Sequence, residues 1–145
     1  MGCVSLLSTV TIQKSYNQGK VEADSMAAAL VAPCKGKLNI SDCYNAGKIK
    51  GAFKGWEFAY SDNVLQFQKC YDAYSNQVER VTPIDVMSGA LCYLLNTGSG
   101  KTIWRQNIDN GRKPDGHPVL KTSSGVGYYK DGIYTNLDKE VSLSV

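Results

Sequence analysis

Residues that carry enzyme chemistry are sparse in this chain. His117 is the only histidine, so any nucleophile–histidine pair must use it, and a serine or cysteine without that base lacks its commonest activator. It stands in Asp115-Gly116-His117-Pro118, a turn leading into a strand pattern. Gly98-Ser99-Gly100-Lys101-Thr102 has the ending of a phosphate-binding loop. The full motif needs a glycine five places before Gly100, where this chain has Leu95, and it follows a strand rather than a helical pattern. A plain loop accounts for the segment, and no catalytic residue is assigned.

Metal and redox chemistry fare no better. The five cysteines (Cys3, Cys34, Cys43, Cys70, Cys92) include no CxxC pair, which argues against a zinc site of usual spacing and against a dense disulfide framework. No metal site and no cofactor are expected. The net charge of +3 is small, and the longest basic cluster, Lys48-Ile49-Lys50, is too thin for a nucleic-acid footprint. No apolar stretch reaches the length of a membrane-crossing helix, so no membrane insertion by this chain is expected. Met1-Gly2-Cys3-Val4-Ser5-Leu6 begins like a myristoylation signal, but Leu6 occupies the Ser/Thr place. Leu6-Leu7 is too short an apolar run for a secretory signal.

The positioning elements come from self-similarity. Val10-Thr11-Ile12-Gln13-Lys14-Ser15-Tyr16-Asn17, Leu38-Asn39-Ile40-Ser41-Asp42-Cys43-Tyr44-Asn45 and Leu65-Gln66-Phe67-Gln68-Lys69-Cys70-Tyr71-Asp72 align, with tyrosines 28 and 27 residues apart. Each opens with the period-2 apolar alternation of a strand. Gly19-Lys20-Val21 and Gly47-Lys48-Ile49 then read as a turn and a second short strand. An earlier arm, aligned on Val4, Val31 and Phe58, precedes each tyrosine by 12 or 13 residues. Units of this size cannot bury an apolar side alone, but stacked units can, about 4.8 Å apart. The expected ladders are Val10/Leu38/Leu65, Ile12/Ile40/Phe67, Ser15/Cys43/Cys70 and the polar column Asn17/Asn45/Asp72. Cys43 and Cys70 then stack in parallel, a poor torsion for a disulfide, and free buried thiols are the favoured reading. Met1 falls inside an arm, which suggests a stack cut from a longer one.

Ile40-Ser41-Asp42-Cys43-Tyr44-Asn45-Ala46-Gly47-Lys48-Ile49 resembles the GLUG repeat of large bacterial surface proteins, and Ala28-Ala29-Leu30-Val31-Ala32 is similar to the arm that precedes it there. The resemblance extends to Ser88-Gly89-Ala90-Leu91-Cys92-Tyr93-Leu94-Leu95-Asn96, Trp104-Arg105-Gln106 and Pro118-Val119-Leu120. It implies an all-β dominated chain, a right-handed parallel β-solenoid of about three coils over residues 1–80. Residues 81–145 are expected to form a C-terminal cap of one helix and short strands. Thr82 is placed to cap that helix, with Pro83 in its first turn and Asp85 at its positive end. Its apolar face is Ile84, Met87, Leu91, Leu94 and Leu95, and it ends at Asn96-Thr97-Gly98. Trp104, Ile108, Val119-Leu120 and 126–129 read as strands, with turns at Asn110-Gly111, Asp115-Gly116 and Asp131-Gly132.

The resemblance also implies an extracellular or cell-surface scaffold, adhesin-like, contacting glycans or host or bacterial surface proteins. The one column with binding potential is Tyr16, Tyr44 and Tyr71; facing outward it forms an aromatic stripe suited to sugar rings, facing inward a packing ladder. One alternative is a fragment of a carbohydrate-active β-helical enzyme, which needs carboxylates at matching places on neighbouring coils. Asp42 matches Lys14 and Lys69, and Glu22 matches Lys50, so the columns alternate in sign instead. The other alternative is a non-functional remnant of a longer gene.

Overall fold

The computed structural model describes residues 8–32, 34–98, 103–106 and 115–120, together with the backbone of 127–130 and 133–136. The chain divides into two compact units, Met1–Val81 and Thr82–Val145. The expected features at Val4, Gly100 to Thr102, Ile108, Asn110-Gly111 and Asp131-Gly132 lie outside the described residues.

The first unit is strand-rich and its strands pair in parallel. β1 (Thr9–Gln13) and β2 (Tyr16–Asn17) form the first rung, with β3 (Val21–Glu22) after the turn. β4 (Lys37–Asn45) and β5 (Ile49–Lys50) form the second, and β6 (Leu65–Asp72) the third. Val10 pairs with Leu38 and Ile12 with Ile40; Leu38 pairs with Leu65, Ile40 with Phe67 and Cys43 with Cys70. Tyr16 and Asn17 of β2 pair with Tyr44 and Asn45, which pair in turn with Tyr71 and Asp72. β3 and β5 pair Val21 with Ile49 and Glu22 with Lys50. Glu22 bridges Lys20 at 2.6 Å and Lys50 at 2.9 Å, and these two ammonium groups hold its carboxyl down at about 2.

One corner geometry recurs in all three rungs. Lys14, Asp42 and Lys69 hold φ of 51°, 53° and 55°, a left-handed conformation that costs a non-glycine residue about 1 kcal/mol or more. The next residue bonds back across the corner: Ser15 Oγ donates to the Gln13 carbonyl (3.0 Å), Cys43 Sγ to that of Ser41 (3.1 Å) and Cys70 Sγ to that of Gln68 (3.5 Å). Serine and cysteine are interchangeable here because both are small donors.

The earlier arm packs over the inner face of these strands. Val31, Cys34, Leu38, Ile40, Cys43, Phe58, Ala59 and Cys70 form the buried core, flanked by Val10, Ile12, Leu65 and Phe67. Phe58 meets Phe67 edge-on, with centroids 5.5 Å apart. Full burial of a side chain such as Leu38 or Ile40 contributes roughly 1.5–3 kcal/mol. The arm register differs from the expected alignment: Val31 bridges Ala59, not Phe58. The offset is therefore 28 residues in the arm but 27 from Leu38 to Leu65. The missing residue falls in the connection after Ala59, where a turn absorbs it without disturbing either ladder.

The third rung ends differently from the others. β7 (Glu79–Arg80) pairs in parallel with Tyr71 and Asp72. Gln77 bonds the arm with its side chain, Oε1 accepting from the Phe58 and Ala59 amides at 2.9 and 3.1 Å and Nε2 donating to the Ala59 carbonyl at 2.6 Å. A side-chain amide thus stands where a following strand would pair.

In the second unit the expected single helix is two. α1 (Pro83–Ser88) begins with Thr82 and Asp85 in a reciprocal capping box, and α2 (Ala90–Asn96) follows Gly89 at φ 91°. The apolar spacing runs across Gly89 without a gap, so periodicity alone cannot show the break. The left-handed glycine turns the helix: Leu91 and Leu95 of the expected face are buried, whereas Ile84 and Met87 are exposed and Val86 and Cys92 are buried in addition. β8 (Trp104–Arg105) pairs antiparallel with β9 (Val119–Leu120), and β10 (Gly127–Lys130) with β11 (Ile133–Asn136). Asn96 ties α2 to β8: its Oδ1 accepts the Ile103 and Trp104 amides at 3.0 and 2.9 Å, and its Nδ2 donates to the Trp104 carbonyl at 2.7 Å.

Candidate functional site

The tyrosine column comes together in register, but its members differ in exposure. Tyr16 is 38% exposed, Tyr44 0% and Tyr71 6%. Tyr16 stacks on Tyr44 with ring centroids 5.2 Å apart and planes 4° from parallel. Burial pushes the Tyr71 phenol up to about 12. Only one of the three rings presents a sizeable surface, so the column packs as a ladder and does not form an exposed aromatic stripe. The bend that carries it also carries Asn17, Asn45 and Asp72, whose side chains bond one rung to the next and hold the rings in register.

The opposite side chains of the same strands make the more open feature. Pairing places Thr11 beside Asn39 and Asn39 beside Gln66; Gln13 stands beside Ser41 and Ser41 beside Gln68. These six side chains line an open groove of about 640 Å³. They point away from the core because strand side chains alternate faces, and the period that buries Val10, Ile12 and their partners turns these outward. Every one is an amide or a hydroxyl. Lys37, two residues before Asn39 on the same face, stands at the border of the array. Each amide offers two N–H donors and an acceptor oxygen, and each hydroxyl one O–H donor and an acceptor oxygen. The array can therefore hydrogen-bond a neutral polyhydroxylated ligand but has no group for general acid–base work. The alternation of β1, β4 and β6 contained this signal: the polar members between the apolar ladders, Thr11/Asn39/Gln66 and Gln13/Ser41/Gln68, are uncharged in all three rungs.

The remaining chemically interesting residues are dispersed or inert. Among the described residues Cys34, Cys43, Cys70 and Cys92 are free and buried. Burial pushes the Cys43 thiol up to about 11 and the Cys70 thiol up to about 12, and raises that of Cys92 further. A reactive thiol needs the opposite shift. His117 Nδ1 lies 3.0 Å from the Pro118 carbonyl. No three His, Cys, Asp or Glu side chains among the described residues converge on a point where a metal could sit, and no helix among them is long and apolar enough to cross a membrane.

No family model, curated protein or solved structure matches this chain. The functional reading therefore rests on the geometry of the groove and of the stacked rungs.

Proposed function

We propose that this chain is a non-catalytic scaffold segment of an extracellular or surface-attached bacterial protein, a right-handed parallel β-solenoid of the GLUG type that contacts neutral glycans. The observation that carries this reading is the outer face of β1, β4 and β6, where Thr11, Gln13, Asn39, Ser41, Gln66 and Gln68 line one open groove with no ionisable side chain among them. Sugar hydroxyls both donate and accept, and amides and hydroxyls in fixed rows meet both needs. Rows about 4.8 Å apart place several such groups along one saccharide. The stacked strands supply the rigidity, since each rung bonds its neighbour through backbone and side chain alike.

A glycan array probed with the labelled full chain tests this. Neutral oligosaccharides should bind, and binding should persist in high salt, because hydrogen bonding between uncharged groups is not screened as ion pairing is. Binding confined to anionic glycans and abolished by salt would contradict it.

A further inference from the structure

The outer face of the three rungs is not level. Thr9, Thr11, Gln13, Gln66 and Gln68 are exposed, whereas Asn39 and Ser41 of the strand between them are half-buried. Register gives the reason. Ser41 stands between Gln13 on one side and Gln68 on the other, so a very short side chain lies between two long ones. Asn39 stands between Thr11 and Gln66, with a low wall towards β1 and a full wall towards β6. The groove is therefore a trough whose floor is β4, deepest at Ser41. It runs along the strands and not from rung to rung.

Its dimensions and its charge limit what can lie in it. Strands of one sheet lie about 4.8 Å apart, which puts the backbones of β1 and β6 about 10 Å apart across β4. Less the thickness of the two walls, that width admits one sugar ring and not two abreast. Outward residues along a strand recur about every 6.6 Å, so Asn39 and Ser41 underlie successive sugar residues of one chain. Charge bounds this stretch at both ends. Lys37, exposed, precedes Asn39, and Asp42 follows Ser41 at the left-handed corner whose counterparts are Lys14 and Lys69.

Resting on the glycan reading above, we infer that the groove takes a single linear oligosaccharide lying lengthwise along β4, with Ser41 as the residue that sets its orientation. The small serine lets one sugar ring sink to the strand, where the amides of Gln13 and Gln68 flank it from both sides. Asn39 underlies the next sugar residue, and Gln66 continues the β6 wall beside it. Each amide can give an N–H to one sugar hydroxyl and accept from another. A chain crossing the rungs would instead follow Gln13, Ser41 and Gln68 as one row, and Ser41 would be a gap in that row. The two orientations therefore make opposite demands on position 41.

Ser41→Gln in the full chain, titrated with neutral trisaccharides of glucose, galactose and mannose, separates them. Glutamine already occupies the paired positions on both neighbouring strands, so this variant should keep the thermal midpoint of the parent. It should weaken the best-binding trisaccharide by about tenfold or more, the scale of one or two hydrogen bonds between uncharged groups. Ser41→Ala, which leaves the trough open, should weaken it less. A second measurement needs no variant: the same trisaccharide carrying a nitroxide at its reducing end should broaden NMR signals at one end of β4, near Lys37 or near Asp42. Binding by Ser41→Gln that is unchanged or tighter, or broadening spread along β1 or along β6, would overturn the lengthwise orientation and leave the glycan reading standing. No binding of any of these trisaccharides to the unaltered chain at millimolar concentration would remove the glycan reading, and this inference with it.

Discussion

At the scale of single residues, the fold depends on small polar groups that are fully used. Asn45 is buried and makes four hydrogen bonds, two as donor and two as acceptor. Asn45→Ala leaves Asn17 and buried Asp72 short of a partner, and should cost about 1–3 kcal/mol or more in chemical unfolding; Asn17→Ala should cost less. The buried thiols give a pH dependence. Cys43 and Cys70 have folded-state values near 11 and 12 against an ordinary 9.0, so the unfolded chain releases these protons first. Their contribution is complete below pH 9.0 and is lost as pH rises through the folded values. Stability should fall by up to about 1.4 kcal/mol per pH unit per thiol. Unfolding midpoints measured between pH 9 and 10 check this below the tyrosine range (about 10), and the slope should flatten in Cys43→Ser/Cys70→Ser. Ser15, which makes the same corner bond in the first rung, indicates that serine fits those places.

At the scale of elements, strand register was legible and corners were not. The columns Val10/Leu38/Leu65, Ile12/Ile40/Phe67 and Asn17/Asn45/Asp72 follow from alternation and from the spacing of Tyr16, Tyr44 and Tyr71, because a one-residue slip would turn a whole apolar set to solvent. The left-handed corner was hidden, since lysine at 14 and 69 is no sign of positive φ. The side on which the tyrosines lie was hidden too, because it depends on that corner: a left-handed residue inserted after Gln13, Ser41 and Gln68 resets the alternation beyond it. Helical periodicity across 84–95 likewise concealed the break at Gly89, which belongs to one residue's φ of 91°. Gly89→Ala should destabilise the chain by about 1–2 kcal/mol in thermal or urea unfolding, the mark of a required left-handed turn. An unchanged midpoint would mean the two short helices can merge without cost.

At the scale of the whole molecule, the core and the outer face of the strand-rich unit have separate tasks. β7 pairs with Tyr71 and Asp72 and Gln77 bonds the Phe58–Ala59 arm, while the outer face of β1, β4 and β6 carries neutral hydrogen-bonding groups near its centre. The same period-2 pattern produces both the core and that face, so the rungs that hold the molecule together also set the spacing of the groove. NMR titration of the full chain with a panel of neutral oligosaccharides, following the side-chain amide signals of Asn39, Gln66 and Gln68, tests the central claim most directly. The account predicts that these three signals shift together and saturate, while the ring signals of buried Tyr44 and Tyr71 stay in place. Shifts centred on Tyr16 with the three amides unmoved, or no shifts at millimolar oligosaccharide, would contradict it.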